Sequence, residues 1–193
     1  PSSYDYLMGV TGAAFRRFWN RDDGGNVDLM YLVPEPHQRA FAALGYGFRA
    51  VPNEKAAMIQ AIRETVAKGI PAISFGIIGP PEAGLVTGYD RDGEVLYGYS
   101  YFQDPSLPGY YEKEDWFQAG EPRVHCGLIL IGDKQSRPDE RDILVSTLAW
   151  AIDVECTSVR PDVPDHSCGL AAYEDWAKGI EVDADYPAGD PEV

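Results

Sequence analysis

Apolar residues recur along the chain at two alternating periods, and the switches between them mark the expected elements. Helical spacing runs through 54–68, where Met58, Ile59, Ile62 and Val66 repeat behind Asn53 as N-cap, and Gly69 stops the run. A shorter helix is predicted over 36–44. Pro36 sits near its start, Ala40, Phe41 and Leu44 share a face, and Gly45 ends it. Ser3 reads as the cap of an N-terminal helical turn that Gly9 stops. The last third is helical again. One helix is expected from Pro138 to about Cys156, with Leu144, Leu148, Ala151 and Ile152 as its apolar stripe and acids in its first turn. After a proline-rich loop over 157–165, Ser167 caps another helix to residue 180, with Leu170, Tyr173, Trp176, Ala177 and Ile180 on roughly one side.

Between these helices the runs shorten to strand length. Strands are predicted at 13–19, 46–51, 72–77, 83–90, 94–102 and 124–131, with 22–25 as a loop. Asp90-Arg91-Asp92-Gly93 suits a hairpin turn between the two middle strands, because glycine supplies the positive φ that tight turns need. The sum is an α+β fold: an antiparallel sheet of 72–77, 83–90, 94–102 and 124–131 with helices packed around it, followed by a helical C-terminal part.

Charge narrows the partners. Acids outnumber bases 31 to 16 over 193 residues, for a net charge of −15. A nucleic-acid module needs a basic face to displace counterions, and an anionic membrane surface needs one too, so neither partner is expected. No stretch approaches the ~20 apolar residues of a membrane span, and no basic–apolar leader opens the chain. At 45% hydrophobic residues the chain can bury a real core. Three cysteines do not make a disulfide scaffold, which points to a reducing cytoplasm. Residues 181–193 carry five acids and no base, with Pro187, Gly189 and Pro191, and read as an acidic tail or linker.

The order of the middle pieces carries a resemblance. A helix ends in Lys68-Gly69-Ile70-Pro71-Ala72-Ile73, a strand in Leu85-Val86-Thr87-Gly88-Tyr89-Asp90, and the strand after the hairpin turn in Asp104-Pro105, with Glu114-Asp115-Trp116-Phe117 shortly after. Over 55–118 this resembles the second half of a papain-like cysteine peptidase domain of the bacteriocin-leader-processing type. Two further segments, Tyr4-Asp5-Tyr6-Leu7-Met8-Gly9 with its continuation to Arg16, and Gly169-Leu170-Ala171-Ala172-Tyr173-Glu174-Asp175-Trp176, resemble a group of uncharacterised bacterial proteins. That group is similar to the N-terminal domain of butirosin biosynthesis protein H, an aminoacyltransferase. The resemblance implies a papain-like domain over 1–132 without its N-terminal nucleophile helix, a helical extension over 133–180, and the 181–193 tail. It places a catalytic histidine where this chain has Glu82, and the aspartate that orients it at Asp104.

Glu82 and Asp104 are therefore the candidate site residues. Glu82 reads as a general acid/base, as a carboxylate that binds an amine, or as a solvated residue opening a strand. Asp104 reads as its partner or as an Asx-turn residue before Pro105. Neighbours on a strand face opposite ways, so Cys126 is not the partner of His125 and reads as a core cysteine ahead of a nucleophile. Cys168 stands at a helix start, which lowers a thiol pKa. Tyr97, Tyr99 and Tyr101 alternate on one strand face, as sheet surface or as an aromatic ligand wall. No cofactor is expected, since Gly76-Ile77-Ile78-Gly79 lacks the Lys-Ser/Thr of a phosphate loop. No metal is expected, since Cys156, His166 and Cys168 contain no Cys-x-x-Cys pair.

Two functions follow. One is amide or acyl transfer, or amide hydrolysis, with the cysteine nucleophile on a preceding segment or a second chain. The other is an inactive domain that binds a small molecule or peptide, in particular an amine, in the old cleft.

Overall fold

The computed structural model describes residues 3–20, 22, 24–26, 34–80, 82–106, 109–117, 127–161 and 163–182. In chain order the elements are α1 (Tyr4–Val10), β1 (Phe18–Asn20), β2 (Gly24–Asn26), α2 (Glu35–Leu44), β3 (Tyr46–Val51), α3 (Lys55–Val66), β4 (Ala72–Phe75), β5 (Ala83–Asp90), β6 (Val95–Tyr99), β7 (Tyr111–Glu114), β8 (Gly127–Lys134), α4 (Glu140–Cys156), β9 (Ser167–Cys168) and α5 (Gly169–Ile180). The fold is mixed α+β, with an antiparallel six-stranded sheet. The chain forms two compact units, 46–135 and 1–45 together with 136–193. Among the described residues no helix is long and apolar enough to cross a membrane.

The 46–135 unit holds the sheet, in the order β3-β8-β4-β5-β6-β7. One row of paired residues crosses five of its strands: Leu130, Ala72, Val86, Gly98 and Tyr111. Leu130, Ala72, Val86 and Tyr111 of this row belong to the core, with Met58, Ala61 and Ile62 of α3 in the same cluster. Met58 and Ile62 are fully buried, and each contributes about 1.5–3 kcal/mol by leaving water. Trp116, also buried, donates its indole N–H to the Gly93 carbonyl at 2.9 Å and so anchors the turn of the β5–β6 hairpin. In that turn Arg91 and Asp92 adopt positive φ as well as Gly93.

Among its described residues the second unit has a three-stranded sheet, β2-β1-β9, and four helices. Phe18, Val154, Val163 and Cys168 make one buried cluster, and Val10, Ala43 and Ile143 another. The Arg137 guanidinium donates to the Ala43 carbonyl, the Tyr6 hydroxyl and Glu140, which ties the C-terminal end of α2 and α1 to the start of α4.

Several expected boundaries are corrected. The 13–19 strand is only Phe18–Asn20. Residues 13–15 fold into turns because Ala14 N–H bonds back to Met8 and Phe15 N–H to Gly12. The 22–25 loop contains the start of β2, a strand imposed by its pairing with β1 and carrying no side-chain signal of its own. Gly9 does not stop α1, which closes one residue later with Thr11 donating its hydroxyl to the Leu7 carbonyl. Asn53 is not the cap of α3: a turn from Pro52 to Glu54 leaves Glu54 in that position without a side-chain bond. The 72–77 strand stops at Phe75, and β6 stops at Tyr99 because the chain turns at Ser100, whose hydroxyl accepts from Phe102 N–H. β7 was not expected. Ser167 pairs in β9, so α5 begins at Gly169. Residues 124–126 and the tail from 183 lie outside the described residues; β8 is described from Gly127.

The largest correction concerns which helix faces are buried. α4 buries Ile143, Thr147 and Val154, and leaves Leu144, Leu148 and Ile152 of its expected stripe exposed. α5 buries Gly169 and Ala172 and leaves Leu170, Tyr173, Trp176 and Ile180 exposed.

Candidate functional site

Glu82 immediately precedes β5, and Asp104 follows the turn that ends β6. Both positions therefore fall at the end of the hairpin opposite its Arg91–Gly93 turn. The Glu82 backbone ties down the 76–82 connection: its N–H donates to the Pro80 carbonyl at 2.6 Å, and its carbonyl accepts from Gly76 N–H at 3.3 Å. Its side chain is exposed. Asp104 forms the Asx turn weighed above, with Oδ1 accepting from Ser106 N–H at 2.8 Å. The Ser106 N–H and hydroxyl hold the exposed Asp104 carboxyl below its ordinary range, which keeps it ionised.

Beside these residues lies an open groove of about 650 Å³. Ala83, next to Glu82, lines it, as do Gln103 and Pro105 on either side of Asp104. Its walls are Ile73, Leu85, Tyr99 and Tyr101. Ile73 pairs with Leu85, and Leu85 with Tyr99, so these three stand in one row on the face opposite the core row. Tyr99 is half-exposed and Tyr101 almost wholly so. The groove wall is apolar and aromatic, and its lining includes neither carboxylate side chain.

The backbone beneath the groove is fixed from the core side. The Tyr111 hydroxyl donates to the Leu85 carbonyl at 3.1 Å and is hydrogen-bonded to the buried Ser74 hydroxyl. Burial pushes the Tyr111 phenol up to about 12, so it stays a donor at any physiological pH. Its close approach requires glycine at position 98, where a Cβ would lie 1.8 Å from the Leu85 oxygen and 2.7 Å from the Tyr111 hydroxyl.

Neither cysteine nor histidine occurs among the described residues of the 46–135 unit; His125 and Cys126 lie outside them. Cys168, in the other unit, is buried. Desolvation raises its thiol pKa despite the helix start, so the position that sequence alone offers as reactive is a packed, protonated thiol. The described residues contain no cluster of metal-ligating side chains. The second unit has its own cavity of about 380 Å³ beside Trp19, Asp165 and Ser167. There the Ser167 hydroxyl donates to Asp175, whose other oxygen takes Lys178 Nζ at 2.8 Å, so these polar groups satisfy one another.

Ile73 and Leu85 escaped sequence reasoning. The only available signal was that 83–90 carries apolar residues in both strand phases, Val86 in one and Leu85 and Tyr89 in the other. Comparison with protein-family models, with curated proteins and with solved structures returns no match.

Proposed function

We propose that the 46–135 unit is an inactive relative of the papain-like domains that its sequence resembles, and that it binds a peptide segment or small molecule joining an apolar body to an amine. The observation that carries this reading is the row Ile73–Leu85–Tyr99, an apolar groove wall with Glu82 and Asp104 at its end of the hairpin. An aromatic or aliphatic body on that row leaves water, for about 1.5–3 kcal/mol. A rim carboxylate adds under about 1 kcal/mol for a cation, because the pair stays hydrated. Together these terms reach about 4 kcal/mol at most, which corresponds to millimolar affinity or weaker for a small probe. A longer peptide gains by covering more of the wall.

Glu82 suits binding better than proton transfer. Its side chain is exposed and open to an approaching cation. Asp104 spends an oxygen on Ser106 N–H, the bond of a turn and not of a residue orienting a catalytic ring. The net charge of −15 favours approach of a cation.

Calorimetric titration with phenethylamine and phenethyl alcohol tests the reading, since the two share an apolar body. The amine binds several-fold tighter, and the difference disappears in Glu82→Gln/Asp104→Asn. Equal binding, or none, removes the proposal. Amide hydrolysis or acyl transfer by the purified chain would instead support the enzymatic reading.

A further inference from the structure

The second unit holds a cavity of about 260 Å³ lined by residues of α1, α2 and α4. Its apolar floor is the cluster of Val10, Ala43 and Ile143, widened by Ala42 and Pro138. Four polar side chains complete the lining: Arg39 from α2, and Asp142, Ser146 and Thr147 from α4. Asp142 and Ser146 stand one turn apart, as do Ile143 and Thr147, so two ridges of α4 run side by side along the cavity.

The polar groups are left with capacity that the fold does not use. Thr147 is only 8% exposed. Among the described residues its hydroxyl has no hydrogen-bond partner, and it is not sealed from the cavity. A buried hydroxyl in that state costs free energy until something pairs with it. Ser146 donates its own proton to the Ile143 carbonyl at 2.9 Å, which leaves its oxygen as an acceptor. Arg39 and Asp142 carry opposite charges on the same wall and do not pair with each other. Arg39 is held by Glu35, 2.9 Å from Nε, and by the Trp150 ring, 4.3 Å from its guanidinium carbon. Among the described residues its two terminal nitrogens make no hydrogen bond, and the Asp142 carboxylate makes no ion pair.

These groups select the occupant. With Glu35 counted, one cation faces two carboxylates, so a simple anion is disfavoured. A simple cation meets Arg39. A zwitterion satisfies both charges. The acceptor Ser146 and the free hydroxyl of Thr147 are consecutive residues, with Cα atoms about 3.8 Å apart. The two charged ends of the ligand must therefore be neighbours, as in an α-amino acid. A cavity of about 150 Å³ takes a benzene ring, so 260 Å³ has room for an amino acid of leucine size.

We propose that this cavity binds a free aliphatic α-amino acid. Its ammonium lies against Asp142 and the Ser146 oxygen, its carboxylate takes Arg39 and the Thr147 hydroxyl, and its side chain covers Val10, Ala43 and Ile143. The site is independent of the groove in the 46–135 unit and of the reading given to that groove.

A ¹H–¹⁵N NMR titration of the 193-residue chain with L-leucine tests this, with two analogues as controls. 4-Methylpentanoate lacks the ammonium, and 3-methylbutylamine lacks the carboxylate. Leucine produces saturable shifts at the amides of Val10, Ala43, Ile143 and Thr147, with a dissociation constant in roughly the millimolar range or below. Each analogue binds there at least about tenfold more weakly, because it leaves one charge of the wall unpaired. Asp142→Asn removes the advantage of leucine over 4-methylpentanoate. Thr147→Val weakens leucine binding several-fold and leaves the thermal midpoint unchanged or higher, since a methyl replaces a buried hydroxyl that the fold does not satisfy. Circular dichroism confirms that both variants are folded. Absence of shifts at these amides at about 50 mM leucine overturns the proposal. So does equal binding of leucine and either analogue, or leucine binding that Thr147→Val leaves unchanged.

Discussion

Leu85 and Tyr99 stand directly opposite each other on neighbouring antiparallel strands, and both side chains reach into water on the face away from the core. Cross-strand pairs of this kind ordinarily stabilise a sheet by roughly 0.2–1 kcal/mol. Here the pair also forms the wall of a groove whose backbone is held from below by Tyr111. Stability and binding are thus separable at this position.

Tyr99→Ala lowers the unfolding free energy by less than about 1 kcal/mol, because half of the side chain is already solvated. The same substitution abolishes detectable binding of phenethylamine. Urea denaturation and calorimetry on one sample measure the two effects. A large loss of stability would make Tyr99 a core residue and not a binding wall.

Gly98→Ala has the opposite profile. Its Cβ would be forced against the Leu85 carbonyl and the Tyr111 hydroxyl, so β5 and β6 must part. Overpacking against backbone has no cheap relief, and the expected cost is about 3 kcal/mol or more. The measurement is the urea midpoint, with binding lost only as the protein unfolds.

How far the sequence was legible depends on whether an element is defined by its own residues or by its neighbours. α3 repeats Met58 and Ile62 at helical spacing on a single apolar stripe, and those residues are buried. The β5–β6 hairpin carries its turn in its own residues and pairs as expected. β7 reads Tyr-Glu-Lys-Glu, polar apart from Tyr111, and becomes a strand only because β6 offers it a ladder. α4 has apolar residues on two faces, and periodicity names a stripe without saying what covers it. The stripe chosen from the sequence is the exposed one. At the site, Glu82 and Asp104 were found by resemblance. Ile73 and Leu85 depend on cross-strand register, including a bulge between Val86 and Gly88 that no local pattern announces.

Tyr111 makes alkaline stability a test of the buried hydroxyl pair. Its folded pKa of about 12 lies above the ordinary phenol value of 10.0. The unfolded chain therefore releases this proton first as pH rises. Stability is undiminished below pH 10 and falls between pH 10 and 12, by on the order of 2–3 kcal/mol when both states are ionised. Tyr111→Phe removes that dependence. It costs about 1–2 kcal/mol at neutral pH, because Ser74 and the Leu85 carbonyl lose a partner.

Asp104 has two roles that one pair of variants separates. Asparagine keeps the acceptor oxygen of the Asx turn and removes the charge, whereas alanine removes both. Asp104→Asn should lower the thermal midpoint slightly, as protonation does, and weaken amine binding; Asp104→Ala should lower the midpoint further. Because the folded carboxyl titrates below 3.8, its contribution is present above that pH and is lost as pH falls through the folded value. An NMR titration of the carboxyl carbon reads this directly.

The most direct measurement is a ¹H–¹⁵N NMR titration of the 193-residue chain with phenethylamine, with phenethyl alcohol as the neutral control. The groove account predicts saturable shifts at Gly84, Leu85, Tyr99 and Gln103, larger and at lower concentration for the amine. It predicts that Glu82→Gln/Asp104→Asn brings the two titrations together. Shifts confined to other parts of the chain, or identical titrations for amine and alcohol in the parent protein, would contradict it.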